Sequence, residues 1–129
     1  MTDPATHLAI SSRLVGEPIL LDAGRASARL ETIAEMAADE RGLVHGGFVF
    51  GLADYAAMLA VNDPFVVLGS VEMRFVAPVR VGEVVVASAA VVETKGKKRR
   101  LEVTARVGER DVLAGTMTAF VLDDHVLGS

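Results

Sequence analysis

The sequence predicts an α+β fold in which an antiparallel sheet wraps around one long central helix. The first observation is an apolar run of fourteen residues, Phe48 to Val61, which is typical of a buried helix. The second is a set of alternating apolar and polar runs after it, separated by short glycine-containing turns of the kind that join antiparallel strands. The third is the length of 129 residues, which suffices for one domain with a hydrophobic core and is too short for two. We therefore expect a single domain over residues 1–129.

The segment before the central helix predicts one short helix and one strand. Residues 4–14, which begin with a proline, favour the short helix, and glycine and proline then interrupt the chain as far as Gly24. From Arg25 onward, apolar and polar residues alternate, which predicts a strand that continues loosely towards Met36.

The central helix has a defined start and end in the sequence. It opens after the turn-like His45-Gly46-Gly47, and Asn62-Asp63-Pro64 ends it because proline lacks an amide hydrogen and disfavours helix at the preceding residue. Since the helix is apolar on nearly all sides, we expect a curved sheet to cover most of it.

Four further strands are predicted after the helix. They span Phe65 to Val76, Glu83 to Thr94, Arg99 to Val107, and Asp111 to Leu122. A bend over residues 77–82 separates the first two, and hairpin turns at 95–97 and 108–110 separate the others. With the strand before the helix, they predict an antiparallel sheet of five strands built from sequential hairpins.

Composition restricts the possible partners. The net charge of −4 and the isoelectric point near 5.3 argue against general binding to nucleic acid or to an anionic membrane. The chain is 51% hydrophobic with a mean hydropathy of +0.41, which is high for a small soluble domain and indicates contact with another subunit. Without cysteine, and with three histidines that lack paired ligand spacing, a metal site is not expected.

The sequence gives no targeting signal. The amino-terminal residues lack a basic leader followed by an apolar core, and the apolar run is shorter than the roughly 20 residues that a membrane span needs. We therefore expect a soluble protein, with the cytoplasm as the default location.

Asp54 is the first candidate for a functional residue. It is the only acidic or basic residue between Phe48 and Val61, and burial of an ionised carboxylate without partners costs several kcal/mol or more. The charge is therefore paired, suppressed by a raised pKa, or used in function. The structural alternative is that Asp54 accepts hydrogen bonds from neighbouring hydroxyl groups or caps a turn.

The glycines at the helix start offer a second chemical group. Free amides near Gly46 and Gly47, supported by the helix dipole, suit a carbonyl oxygen that gains negative charge. Gly47 and Asp54 are separated by about 10 Å along one helix, so a single helix cannot bring both to one reacting group. A two-fold axis that sets two such helices antiparallel would do so, which favours a homodimer and hydrolytic acyl transfer. Alternatively, the glycines only permit a tight turn.

The run HGGFVFGLADYAAMLAVN resembles the His-Gly-Gly and Leu-Ala-Asp signature of hotdog-fold acyl-CoA thioesterases, particularly the phenylacetate-pathway and human acyl-CoA thioesterase-13-like group. The resemblance extends over most of the chain and includes GSVEMRFVAPVRVGE after the helix. It implies a hotdog fold, a dimer with a continuous ten-stranded sheet that often pairs again into a tetramer, and an active site at the subunit interface.

Carried over by position, the resemblance makes Asp54 the nucleophile or general base and Gly47 the oxyanion amide. His45 would polarise or position the thioester, and Ser70 would help orient the attacking water. No metal or cofactor is implied. Many members carry asparagine or glutamine about six residues before the histidine, where this chain has Asp39 and Glu40.

A basic cluster lies at the predicted turn between two of the later strands. Five cations occur within residues 95–100, and they are Lys95, Lys97, Lys98, Arg99 and Arg100. They either form a solvated hairpin tip that discourages aggregation of sheet edges or bind the phosphates of coenzyme A. Nucleic acid is disfavoured because only 5% of residues are aromatic and none lies among these cations.

The sequence thus predicts a thioesterase that hydrolyses an acyl-CoA to the free acid and coenzyme A. Gly46 and the basic cluster would help to bind the substrate. The main alternative is a non-catalytic hotdog domain that binds or senses acyl-CoA, because one fold hosts several functions. A purely structural oligomerisation module is a third possibility.

Overall fold

The computed structural model, which describes residues 2–128, contains one long helix and a six-stranded antiparallel sheet. In chain order the elements are α1 (Ser12–Val15), β1 (Glu17–Asp22), β2 (Arg25–Glu31), a 3-10 helix (Ala34–Met36), α2 (Gly46–Val61), β3 (Val66–Phe75), β4 (Val84–Lys95), β5 (Lys98–Val107) and β6 (Arg110–Val121). The predicted α+β class is confirmed.

The strand order in the sheet is β1-β2-β4-β5-β6-β3, and all pairs are antiparallel. The four strands predicted after the helix are confirmed, each within one residue of its predicted ends. However, β3 pairs with β6 at the sheet edge and makes no hairpin with β4. The predicted bend explains this, because the Val81 amide donates to Gly42 O and the Gly82 amide to Thr32 O. These bonds hold the bend against the residue that follows β2 and against the loop that precedes α2, and they carry the chain across the end of the sheet.

Three predictions for the first part of the chain were wrong. The sheet has six strands because β1 pairs with β2, where five strands were expected. Pro18 lies within β1, and proline is tolerated there because β1 is an edge strand whose outer side needs no amide. The short helix predicted for residues 4–14 is reduced to the single turn of α1, and the strand predicted to run towards Met36 ends at Glu31, before the 3-10 helix.

The concave face of the sheet covers α2. The buried side chains of the helix, among them Leu52, Ala56 and Leu59, pack against the alternate residues of the central strands that face inward. The inward residues are Ala26, Ala28 and Leu30 on β2 and Val85, Ala87 and Ala89 on β4. The alanines among them allow the helix to lie close to the sheet.

The end of α2 also anchors the amino-terminal segment. Asn62 adopts a left-handed conformation (φ 51°), and its amide donates to Met58 O. The Asn62 side chain accepts a hydrogen bond from the Ala5 amide at 2.7 Å and donates one to Asp3 O at 3.1 Å. Residues 3–5 are thereby tied to the end of the helix. Within residues 2–128, no helix is long and apolar enough to cross a membrane.

Candidate functional site

One face of α2 is left uncovered by the sheet. Gly47 is exposed, and Phe50, Gly51 and Asp54 are only partly buried, whereas Val49 and most of residues 52–60 are buried. Positions separated by three, four and seven residues share one face of a helix. An added Cβ at Gly51 would meet no atom within 4 Å. This open face, Gly47-Phe50-Gly51-Asp54, therefore presents helix backbone and one carboxylate to whatever covers it.

Asp54 has an unpartnered carboxylate oxygen. Its Oδ1 atom is buried and has no hydrogen-bond partner in the part of the chain that the structure describes. Burial raises the pKa of Asp54 above its ordinary value, and the charge of His7 acts in the opposite direction. In the structural alternative, the Asp54 carboxylate accepts hydrogen bonds from neighbouring hydroxyl groups. No such bond to the buried oxygen is present within residues 2–128.

His7 is a neighbour of Asp54 that sequence reasoning missed. It belongs to the amino-terminal segment that packs on α2, and its ring lies 6.1 Å from the ring of Tyr55. Its Nδ1 is 2.8 Å from the hydroxyl oxygen of the buried Thr6, and its backbone has a positive φ of 56°. No spacing pattern in the sequence indicates that His7 lies near Asp54, because the two are 47 positions apart and the intervening chain forms β1 and β2.

His45 caps the start of α2 with its own side chain. The imidazole Nδ1 accepts the Gly47 amide at 2.9 Å, and His45 O accepts the Phe48 amide at 3.0 Å. Because Nδ1 is an acceptor, the neutral ring carries its proton on Nε2, where it can donate to a ligand. The amide of Gly47, predicted for the oxyanion, is thus engaged within the chain. The amide of Gly46 has no acceptor among the described residues and remains a donor at the helix start.

Gly46 also lines an apolar cavity. Its volume is about 340 Å³, and Val49, Phe75, Val76 and Val112 contribute to its walls. The ring of Phe75, which ends β3, lies 3.0 Å from the position that a Cβ on Gly46 would occupy. A side chain at residue 46 would push this ring aside by a few tenths of an ångström, and the cavity can take an apolar group next to a hydrogen-bond donor.

Within one protomer, Asp54 and the helix start remain apart. The helix is continuous from Gly46 to Val61, so eight residues, or roughly 12 Å, separate Gly46 from Asp54 along the axis. A carbonyl group bound to the Gly46 amide is thus out of reach of the carboxylate on the same helix.

Ser70 is not brought to Asp54 in the protomer. It pairs with Thr118 of β6, whose neighbours Met117 and Ala119 point towards α2 and are buried. Side chains alternate along a strand, so Thr118 and Ser70 point to the sheet face that is turned away from the helix. Ser70 is exposed on that face.

The basic cluster forms the tip of the β4–β5 hairpin, as predicted. Lys97 pairs with Asp123 at 2.8 Å, and Arg99 donates to the carbonyl groups of Gly96 and Lys98. The side chain of Lys95 is exposed. In the protomer this tip follows the carboxyl end of β4, whose 12 residues span roughly 35 Å. The chain before α2 is bonded to the segment that precedes the other end of β4, through the Val44 amide and Val79 O.

The described residues 2–128 contain no group of three histidine, aspartate or glutamate side chains that could hold a metal ion.

Comparison with known proteins identifies relatives of the whole fold. Residues 41–114 match the family model of the thioesterase superfamily. Among solved structures, the uncharacterized protein PH1136 from Pyrococcus horikoshii is similar, with a TM-score of 0.96 and 55% sequence identity over 98% of this chain and 97% of that chain. The family match confirms the predicted resemblance to thioesterases.

Curated relatives are longer proteins. Methylthioribose-1-phosphate isomerase from Aquifex aeolicus is 46% identical over 122 residues, which are 94% of this chain and 27% of the relative. The transcription factor FapR from Caldanaerobacter subterraneus is 26% identical over 119 residues, which are 92% of this chain and 60% of the relative. The chain thus spans about a quarter to three fifths of the length of these relatives.

Proposed function

Because this chain belongs to the thioesterase superfamily, we propose that it hydrolyses an acyl-CoA thioester to a free carboxylic acid and coenzyme A. The observation that carries the proposal is the Asp54 carboxylate, which has one buried oxygen without a partner on the open face of α2. A carboxylate kept only for stability would be paired. A general base or nucleophile must instead keep a lone pair free for water or for the carbonyl carbon.

The proposed site is shared between two protomers. A two-fold axis through the open face would set two copies of α2 antiparallel, with Asp54 of one protomer level with the helix start of its partner. The absence of side chains at Gly47 and Gly51 supports a close approach of the two helices.

The edge strand β3 supports the same dimer. It exposes large apolar side chains that a partner would cover, with Val71 45% and Phe75 59% exposed. Pairing of β3 with its copy would give a continuous sheet of twelve strands, six from each protomer. The further pairing of dimers into a tetramer stays a prediction.

In this site the substrate carbonyl oxygen accepts a hydrogen bond from the Gly46 amide. The dipole of α2 strengthens this bond as negative charge develops on the oxygen. The Nε2 proton of His45 is the second donor that positions the thioester. Asp54 of the partner protomer either removes a proton from the attacking water or attacks the carbonyl carbon itself, forming an anhydride that water then opens. In both routes one water is consumed, the C–S bond breaks, and the thiol leaves with a proton.

A thiol-release assay over acetyl-, phenylacetyl- and palmitoyl-CoA tests the activity. Asp54→Asn keeps the size of the side chain and removes its basicity, so we expect release to fall by a factor on the order of 10³ or more. Turnover of all three esters at the wild-type rate by Asp54→Asn would contradict the role of the carboxylate.

Mixed dimers test the sharing of the site. In a homodimer of Asp54→Asn, or in one of His45→Ala, both active sites carry the substitution and lose activity. In a heterodimer of the two variants, one site carries both changes and the other carries neither, so random exchange should recover about a quarter of wild-type activity. If both groups acted within one protomer, the mixture would show only the average of the two variants.

A second candidate function is that of a domain that binds acyl-CoA without hydrolysing it. The similarity to FapR favours it, because FapR is a transcription factor. In that case calorimetry would detect acyl-CoA binding to the wild-type protein, while a single-turnover assay would release no thiol.

A further inference from the structure

A second cavity adjoins the one beside Gly46. It has a volume of about 280 Å³ and is lined by Asp39, Arg41, Leu43, Pro78 and Arg80. Leu43 forms an antiparallel bridge with Arg80, so these residues come from two paired segments. Asp39 and Arg41 belong to the turn of residues 39–42, in which the Gly42 amide donates to Asp39 O at 3.4 Å, and this turn brings both residues into the lining beside Leu43.

The two cavities form one groove. Leu43 and Pro78 line both of them, and Leu43 is 41% exposed between them. The backbone from Leu43 to Gly46 spans at most roughly 10 Å. The groove therefore runs from the Gly46 amide, across an apolar stretch at Leu43 and Pro78, to two guanidinium groups.

The guanidinium groups of Arg41 and Arg80 are free to bind an anion. Neither forms an ion pair within residues 2–128, whereas Arg13, Arg29, Arg106 and Arg110 each pair with a carboxylate. Arginines that line a concave surface and form no ion pair are suited to binding phosphate groups.

Two acids near these arginines, Asp39 and Glu83, are bonded to other groups. Asp39 Oδ1 accepts the amides of Arg41 and Leu43 at 2.9 and 3.2 Å, which fixes the turn before the groove. Glu83 accepts the Arg80 amide at 2.7 Å and pairs with Arg110 at 3.2 Å. Two cations therefore face one carboxylate, Asp39, in the lining of this cavity.

We propose that Arg41 and Arg80 bind the phosphate groups of the coenzyme A moiety. The inference rests on the proposed function, which places the thioester at Gly46. The uncharged pantetheine arm that joins sulfur to diphosphate then crosses the apolar stretch at Leu43 and Pro78. In this arrangement the phosphates lie at the same end of the protomer as the helix start, away from the basic tip of its own β4–β5 hairpin.

The test compares two double variants and one single variant with the wild-type protein. Arg41→Gln with Arg80→Gln removes both charges at similar side-chain length. Lys98→Gln with Arg99→Gln does the same at the hairpin tip, and Arg25→Gln removes an exposed arginine on β2 that forms no ion pair in residues 2–128.

Calorimetry with free coenzyme A measures binding without hydrolysis. We expect the Arg41 and Arg80 changes to weaken binding by about 10- to 100-fold and to reduce its salt dependence, because charge-assisted bonds to phosphate are lost. Arg25→Gln should bind as the wild type does. Unchanged affinity of the Arg41 and Arg80 variant, with weakened binding by the hairpin variant, would overturn the proposal in favour of the hairpin tip. Failure of the wild-type protein to bind coenzyme A would also overturn it.

Kinetics separate this inference from the proposed function. With the acyl-CoA that is turned over fastest, the Arg41 and Arg80 variant should raise KM with little change in kcat. With the same acyl group on pantetheine, which lacks the phosphates, KM should equal that of the wild type. If no ester is hydrolysed and the variant still weakens coenzyme A binding, the hydrolase proposal fails and the phosphate site stands. If hydrolysis occurs and KM for acyl-CoA is unchanged in the variant, the phosphate site fails alone.

Discussion

The imidazole Nδ1 of His45 accepts the amide of Gly47 at 2.9 Å and thereby caps α2. The bond fixes the ring over the helix start, where a Cβ on Gly47 would lie 3.3 Å from its Cε1 atom. It also leaves the Gly46 amide and the Nε2 proton as the two donors that remain for a ligand. His45 thus has a structural role and a proposed chemical one, and the two can be separated by substitution.

His45→Ala should lower the free energy of unfolding by about 1 kcal/mol, because the cap is lost. His45→Asn should keep that stability, since an asparagine oxygen accepts the same helix amide. Both changes remove the Nε2 donor, so kcat/KM should fall by roughly 10² in each. Urea denaturation and thiol release measure the two effects. Recovery of kcat/KM in His45→Asn would show that His45 only caps the helix.

Asp54 should make stability depend on pH. Burial raises the pKa of Asp54 above its ordinary value of 3.8, and His7 opposes the rise. Below pH 3.8 the carboxyl is protonated in both the folded and the unfolded chain. Between pH 3.8 and the raised pKa only the unfolded chain loses the proton, so the free energy of unfolding falls as pH rises and stays lower above that range.

Asp54→Asn should abolish this fall, because asparagine is neutral throughout. At neutral pH the variant should therefore be more stable than the wild type while being inactive. Denaturation at one protein concentration, from pH 3 to pH 8, measures the difference between the two proteins. A difference that is constant over the whole range would show that Asp54 is not destabilised by its burial.

His7 should affect the pH dependence of activity. The positive charge of His7 favours the ionised carboxylate and so lowers the pKa of Asp54, against the larger effect of burial. His7→Gln should let the pKa of Asp54 rise further, and the acidic limb of kcat/KM should move to higher pH. His125→Gln, at an exposed histidine near the carboxyl terminus, is the matched control and should leave the limb in place. If the acidic limb of kcat/KM lies at the same pH in His7→Gln as in the wild type, electrostatic coupling of His7 and Asp54 is excluded.

The parts of the fold that the sequence predicts well are those determined by local patterns. The helix Gly46–Val61 follows from an unbroken apolar run, and β5 follows from the alternation of residues 99–107. The strand β1 was missed because Pro18 disfavours a central strand, and only the pairing with β2 shows that it lies at an edge. Asp54 stands out because a charge in an apolar run has an energetic cost. The proximity of His7 depends on long-range packing through Asn62, for which the sequence has no periodic signal.

The open face of α2 predicts the effect of filling Gly51. Because a Cβ at this position meets no atom within 4 Å, we expect the protomer to tolerate Gly51→Leu, which improves helix propensity by up to about 1 kcal/mol. Leucine would hold apart two helices that approach across this face, so we expect the dimer to dissociate and thiol release to be lost. Gly51→Ala, which adds only a methyl group, should gain the propensity and keep the dimer. Sedimentation velocity measures assembly, and a Gly51→Leu protein that remains dimeric with wild-type kcat/KM would place the interface elsewhere.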